Sequence, residues 1–134
     1  MERTYVMVKP DGVEKGLIGE VIKRIEQKGY KITALKMMKL DSKIVREHYA
    51  HLVEKPFFPR IEAFMTRGNV VAMIVEGFNA VAGIRQIVGA TDSCQAMPGT
   101  IRADYSTFEN GENIVHASDS AESAEIEIKR FFGE

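Results

Sequence analysis

His116 is the side chain whose setting most suggests chemistry. It stands in Asn113-Ile114-Val115-His116-Ala117-Ser118-Asp119, which reads as a short strand ending just before a helix. Unpaired N–H groups and the helix dipole favour anions at such a point. A neutral imidazole is also a good nucleophile near pH 7. That placement suits covalent phosphoryl transfer, and it suits equally a structural histidine bonded to a backbone carbonyl. Phosphoryl transfer needs cations on the non-bridging oxygens, and an arginine supplies a bidentate fork. Lys9 (after an apolar strand), Arg85 (on a helix) and Arg102 (in Pro98-Gly99-Thr100-Ile101-Arg102) are the basic residues in suggestive places. Taken singly, each also reads as a solvated surface charge. Phe57, next to Pro56 in a break between helices, could stack on a nucleobase or cap a helix pair. Tyr49 could face a ligand or simply pack. His48 and His51, three apart on a helix, could share a metal, but no carboxylate or thiol nearby completes a site. Cys94 lies in a loop without a basic activator and reads as inert.

Several familiar devices are missing. The chain has no G-x-x-x-x-G-K-[ST], no G-x-G-x-x-G and no H-E-x-x-H. The formal net charge of −1 excludes a whole-molecule attraction to nucleic acid or anionic lipid, so any anion site must be built locally. A single cysteine cannot form an internal disulfide. No apolar run approaches a membrane span, and the charged residues Glu2, Arg3 and Lys9 do not fit a secretory signal. These features point to a soluble cytoplasmic protein. Its 134 residues suit one domain over 1–134, with enough chain to bury a core.

The elements that must position these residues follow from periodicity. Thr4 to Val8 is an almost continuous apolar run, the mark of a strand buried on both faces. Lys9-Pro10-Asp11-Gly12 follows it as turn chemistry. Leu17, Ile18, Val21, Ile22 and Ile25 line one face of a helix that Gly29 ends. Tyr30 to Leu40 reads as a strand. Asp41 or Ser42 caps a helix through about His51, and a short helix through Met65 follows Pro59. Val70 to Val75 is a strand, and Asn79 caps a helix through Val88. Gly89 to Gly99 reads as a long loop, and Asn113 to His116 as a last strand. Asp119 then caps a helix to about Phe132, with Glu122 as its capping-box partner. This order predicts an α/β (α+β sandwich) fold of the ferredoxin-like split βαβ kind, a four-stranded antiparallel sheet covered by helices.

Read in chain order, the segments Val8-Lys9-Pro10-Asp11-Gly12-Val13, Glu47-His48-Tyr49, Lys55-Pro56-Phe57-Phe58, Gly89-Ala90-Thr91, Pro98-Gly99-Thr100-Ile101-Arg102 and Asn113 to Ser120 resemble the nucleoside diphosphate kinase family. The resemblance runs from about Arg3 to Phe132. It implies a ping-pong reaction in which His116 Nδ1 takes the γ-phosphoryl group of a nucleoside triphosphate, typically ATP, and gives it to a nucleoside diphosphate. By the same resemblance Glu127 orients the imidazole. Lys9 reaches the sugar hydroxyl and the transferring phosphate, and Tyr49 stands beside the acceptor. Arg85, Thr91 and Arg102 bind phosphates, Asn113 binds the sugar, Phe57 stacks on the base and Ile61 supports it. Mg²⁺ is implied as a passenger on the nucleotide phosphates, with no metal site made of protein ligands. Stacking tolerates any base, so base choice is expected to be lax.

The chain departs from the family pattern in three places. Ala117 stands where many members have glycine. Thr107 to Glu112 looks about one residue longer than in some relatives. The sequence stops at Glu134, soon after the last helix, whereas longer members use a tail in subunit contacts. The family implies a homo-oligomer, a hexamer by preference and a tetramer or dimer as alternatives, with the Gly89–Gly99 loop at trimer contacts. Two rival readings are a non-catalytic nucleotide-binding module and a nucleic-acid-binding domain on the same fold. The first would not need nucleophile and cations together. The second would need a basic sheet face.

Overall fold

The computed structural model describes all residues, Met1–Glu134. Four strands form one sheet in the order β2-β3-β1-β4, with every neighbouring pair antiparallel. These are β1 (Glu2–Val8), β2 (Lys31–Lys39), β3 (Asn69–Gly77) and β4 (Val115–Ala117). β1 and β3 occupy the middle, and both are apolar along nearly their whole length because helices cover both faces of the sheet. Alternate residues of β1 serve opposite cores. Val6 and Val8 pack with Val21 and Ile25 of α2 (Ile18–Gln27) and with Ile84 and Val88 of α5 (Ala80–Val88). Tyr5 and Met7 pack on the other side with Val45 of α3 (Ser42–His48), Phe58 and Met65 of α4 (Phe58–Thr66), and Ile128 and Phe131 of α7 (Ala121–Phe132). The α+β architecture with a four-stranded antiparallel sheet is the one anticipated. No helix is long and apolar enough to cross a membrane.

Five local expectations are corrected, and one helix is added. The Lys9-Pro10-Asp11-Gly12 turn is instead the start of a short helix α1 (Pro10–Glu14), where proline's missing N–H costs nothing at the first helical position. The helix expected to reach His51 ends at His48, and a 3₁₀ turn (Ala50–Leu52) takes over. Asn79 does not cap α5 with its side chain; it adopts a left-handed conformation, and the Val81 N–H donates to Glu2 Oε1 instead. The segment after Gly99 carries a helix, α6 (Ile101–Tyr105), capped by Thr100 Oγ1. The last strand is Val115–Ala117 rather than Asn113–His116, because Ile114 sits at φ 74° and cannot extend it. α7 is capped by Ser120, whose Oγ accepts from the Ser123 N–H, so Asp119 is not the cap and Glu122 is not its capping-box partner.

The junction between α1 and the run into β4 fixes where His116 emerges. Lys9 N donates to Ile114 O at 2.8 Å, and Ile114 N donates to Asp11 Oδ2 at 2.9 Å. A Cβ on Gly12 would lie 2.8 Å from Ile114 O and from Val8 Cγ1, so only glycine lets the two segments meet this closely. In β4, Val115 and Ala117 point into the α2/α5 core. His116, between them, points to the opposite face, toward α3 and α7.

Candidate active site

Two cavities share one wall. The first, of about 300 Å³, is lined by Lys9, His48, Tyr49, Arg85, Arg102, His116 and their neighbours. The second, of about 370 Å³, holds Leu52, Phe57, Ile61, Phe64 and Phe108 on an apolar side. Lys9, Tyr49, Thr91 and Asn113 line both. All ten residues expected at the site therefore line one continuous cleft.

His116 is held from one side only. Its Nε2–H donates to Glu127 Oε1 at 2.8 Å, and Ser118 Oγ donates to the same oxygen at 2.7 Å. Glu127 lies on α7 and so is carried by a rigid helix. A carboxylate can only accept, so the proton belongs on Nε2 and the Nδ1 lone pair is bare. Burial pushes the ring below the ordinary imidazole range, with Lys9 and Arg102 adding to that; the Glu127 hydrogen bond and charge pull the other way. The net direction is down, so the ring is uncharged at neutral pH.

Both arginines are anchored to backbone carbonyls, and Lys9 to a side chain that is itself tied to backbone. Arg102, 6% exposed, donates from Nε to Asn113 O (3.2 Å), from Nη1 to Gly89 O (3.0 Å) and from Nη2 to Val115 O (2.6 Å). Of a guanidinium's five N–H groups, three are thereby spent on bracing and two remain for an anion. Gly89 accepts one of these bonds at φ 95°, where a Cβ would also strike Thr100 Oγ1 at 2.6 Å. Arg85 Nη1 donates to Ala117 O at 3.2 Å, next to His116. Lys9 Nζ donates to Asn113 Oδ1 at 3.0 Å, while Asn113 Nδ2 donates to Thr91 O at 2.9 Å. Burial, then the charge of Arg102, pushes Lys9 down to about 8; Asp11 pulls it up. Burial, then Arg85, brings Arg102 to about 10, still charged at pH 7. Three cations around an uncharged imidazole favour an entering polyanion.

On the apolar side Phe57 is 44% exposed, while the adjacent Phe58 is 2% exposed and belongs to the core. The Pro56–Pro59 break thus turns one aromatic out and the other in. Ile61 packs on the same core from α4. A flat ring entering between Phe57 and Phe108 would meet apolar surface.

The first turn of α7 does not line the cationic cavity, although Asp119 does. The positive potential expected from that helix start is therefore supplied by Lys9, Arg85 and Arg102 instead. His48 lines the cationic cavity together with His51, but the side chains that gather around it as possible metal ligands are His116 and Glu127, not His51. His48 Nδ1 accepts from Arg130 Nη1 at 2.9 Å, and its ring meets the His116 ring edge-on at 4.8 Å. Asp11, His48 and Ser118 stood inside the motif segments without a role in phosphoryl transfer, and Arg130 had no signal at all. The Ser118 and Arg130 contacts were hidden because their partners lie 9 and 82 positions away.

A nucleophile with a bare lone pair, its carboxylate orienter and a ring of cations beside an apolar slot are what the family resemblance requires. The family model for nucleoside diphosphate kinase matches residues 2–134. This chain belongs to the nucleoside diphosphate kinase family. It is 54% identical over 134 residues to a nucleoside diphosphate kinase of Archaeoglobus fulgidus, covering 100% of this chain and 88% of that one. It is 50% identical over 132 residues to the nucleoside diphosphate kinase of Thermus thermophilus, covering 98% and 96%. Among solved structures, a nucleoside diphosphate kinase family protein from Babesia bovis superposes with a TM-score of 0.93 at 47% identity, covering 98% of this chain and 88% of that chain. A halophilic nucleoside diphosphate kinase from Halobacterium salinarum, solved with CDP, gives 0.93 at 47% identity, covering 99% and 88%.

Proposed function

We propose that this nucleoside diphosphate kinase moves the γ-phosphoryl group by way of His116. The Nδ1 lone pair attacks the γ-phosphorus; an N–P bond forms, the bond to the β-phosphate oxygen breaks, and the nucleoside diphosphate leaves. A second diphosphate then attacks with its terminal oxygen, the N–P bond breaks, and Nδ1 regains its lone pair. The observation that carries this reading is the His116 Nε2–Glu127 hydrogen bond, which leaves Nδ1 without a proton on a ring that lines the cationic cavity. Glu127 stabilises the positive charge that the ring acquires as the N–P bond forms. Arg85, Arg102 and Lys9 neutralise the phosphate oxygens, and Thr91 and Tyr49 complete the wall. Asn113, set by Lys9 and Thr91, takes the sugar. Phe57 stacks on the base over Ile61. Neither side of the slot carries a buried donor and acceptor pair matched to one base edge, which suits purines and pyrimidines alike.

The donor set also bears on Mg²⁺. Glu127 is committed to His116 and Ser118, and Asp119 is the other carboxylate on the lining. That fits a hard cation that keeps phosphate and water oxygens as its ligands and arrives on the nucleotide. When bound, it supplies charge neutralisation at the β- and γ-phosphates. Asp119 is placed to take a water of its shell.

We further infer that residues 1–134 act as one domain and that the chain works as a homo-oligomer, with a hexamer preferred over a tetramer or dimer. Exposed Leu35 and Met37 on the edge strand β2, and Met97 in the Gly89–Gly99 loop, support assembly. A cytoplasmic site of action suits the exposed free thiol of Cys94. Initial rates with both substrates varied test the mechanism. Parallel double-reciprocal lines are expected; intersecting lines mean direct transfer in a ternary complex. Sedimentation gives the subunit count.

A further inference from the structure

Arg130 is a buried cation whose role is not explained by stability. Its side chain is 14% exposed, and its carboxylate neighbour Glu47 stands 3.7 Å away and is itself 59% exposed. Its Nε is buried without a hydrogen-bond partner. Burying a guanidinium with so little compensation is costly, and an apolar side chain of similar volume serves packing at least as well. The one side-chain hydrogen bond that Arg130 makes is from Nη1 to His48 Nδ1, at 2.9 Å.

That bond has a chemical consequence. A guanidinium only donates, so His48 Nδ1 must be a bare acceptor. The ring is then the Nε2–H tautomer and carries no charge. His48 lines the cationic cavity, and one of its nitrogens lies within 4.8 Å of the donor atoms of both His116 and Glu127. The ring is wedged edge-on between Tyr49, Phe131 and His116, so it cannot turn freely. The charged and titratable groups that face it are Arg130, Lys9, His51, His116 and Glu127. Burial first, then His116, Arg130, Lys9 and His51, pushes its protonation down to about 2, in keeping with an uncharged ring.

We propose that Arg130 is a positioning residue acting through His48: by donating to Nδ1 it fixes the tautomer that offers an Nε2–H, and not a lone pair, to the phosphoryl group beside His116. An unheld ring would divide between two tautomers, and the wrong one presents a lone pair to a phosphate oxygen, which repels it. The proposal rests on the phosphoryl-transfer reading of the cavity, but the tautomer can be read without nucleotide.

The test is ¹⁵N NMR of histidine-labelled protein together with kinetics of Arg130→Met, His48→Gln and their combination. In the parent, His48 shows a protonated Nε2 and a bare Nδ1. Arg130→Met, which keeps the volume, mixes the tautomers and lowers kcat about tenfold with a smaller change in KM. Glutamine places an N–H where Nε2–H stood and has no tautomers, so in the His48→Gln background Arg130→Met costs less than about twofold further. Arg130→Lys, which retains a donor, recovers part of the loss. A protonated Nδ1 in the parent overturns the proposal without any variant. So does an Arg130→Met protein with the parent's ring spectrum or with kcat within twofold, or a tenfold loss that persists in the glutamine background. Failure of the underlying function reading shows separately, as parent protein that takes up no label from γ-labelled ATP.

Discussion

The two halves of the cleft meet at Lys9, Tyr49, Thr91 and Asn113, yet they are built in opposite ways. In the cationic half the nucleophile and the three cations are each tied to a fixed partner. Arg102 holds three carbonyls, Arg85 holds one, Lys9 holds Asn113, and His116 is held by Glu127 on α7. In the apolar half Phe57 and Ile61 are placed by a proline-bounded break and by core packing, with Phe57 44% exposed. The contrast teaches how catalysis and recognition divide. Charge that must meet a transition state is preorganised by the fold, since each degree of slack there costs rate. A base that need only be covered can be met by loosely held surface.

The comparison breaks most decisively at His116. His116→Ala should lower exchange by at least about 10⁴-fold, because the other cavity histidine with an unprotonated Nδ1, His48, has that lone pair engaged by Arg130. A coupled assay of triphosphate formation measures it, and a loss under tenfold moves the chemistry elsewhere. The two arginines come next and should part company. Arg102→Met orphans buried carbonyls and should cost about 3 kcal/mol or more of stability in urea unfolding, along with activity. Arg85→Met should lower kcat about a hundredfold while leaving the unfolding midpoint close to the parent's. Equal stability losses would mean that Arg102 is not the brace described.

The apolar half should respond more gently. Phe57→Ala should raise KM about fivefold or more with kcat nearly kept, since base stacking amounts to roughly 1–3 kcal/mol. A fall in kcat with constant KM would place Phe57 among the groups that act on the transition state. A pH series probes the wall common to both halves. Lys9, near 8 in the empty cleft, loses its charge above that pH, so kcat/KM should fall about tenfold per unit on the alkaline side. His116, lowered by burial, stays uncharged down past the ordinary imidazole value, so the acid limb should lie below about pH 6.5. An acid limb well above that value would mean that Glu127 dominates over burial. The smallest expected effect is base choice: kcat/KM for purine and pyrimidine acceptors should agree within about tenfold, and a ratio above roughly a hundredfold would require base readout that this slot lacks.

Much of this was legible in the chain. The nearly continuous apolar runs of β1 and β3 pointed to strands buried on both faces. The helical face of Leu17 to Ile25 and the Pro56–Pro59 break likewise placed α2 and α4. The site was legible mainly as an ordered set of short motifs, because single histidines and arginines carry little information alone. What stayed hidden was set by long-range contact. Ile114 takes its left-handed turn because Asp11, 103 positions earlier, accepts its N–H, and no window around Ile114 announces that. The cap of α7 was misplaced by one residue because Asp119 and Ser120 are both good caps, and only the tertiary run out of β4 decides between them. Arg130 read as an ordinary helix residue, and His48 as a possible metal ligand, until the fold brought α3 and α7 together.

The most direct test is to mix the protein with γ-labelled ATP in the absence of any diphosphate acceptor, quench, and locate the label. The account predicts a stoichiometric, acid-labile and base-stable phosphoryl group on His116 that discharges completely when a nucleoside diphosphate is added. Label on another residue, or rapid exchange between nucleotides with an unmodified His116, would contradict it.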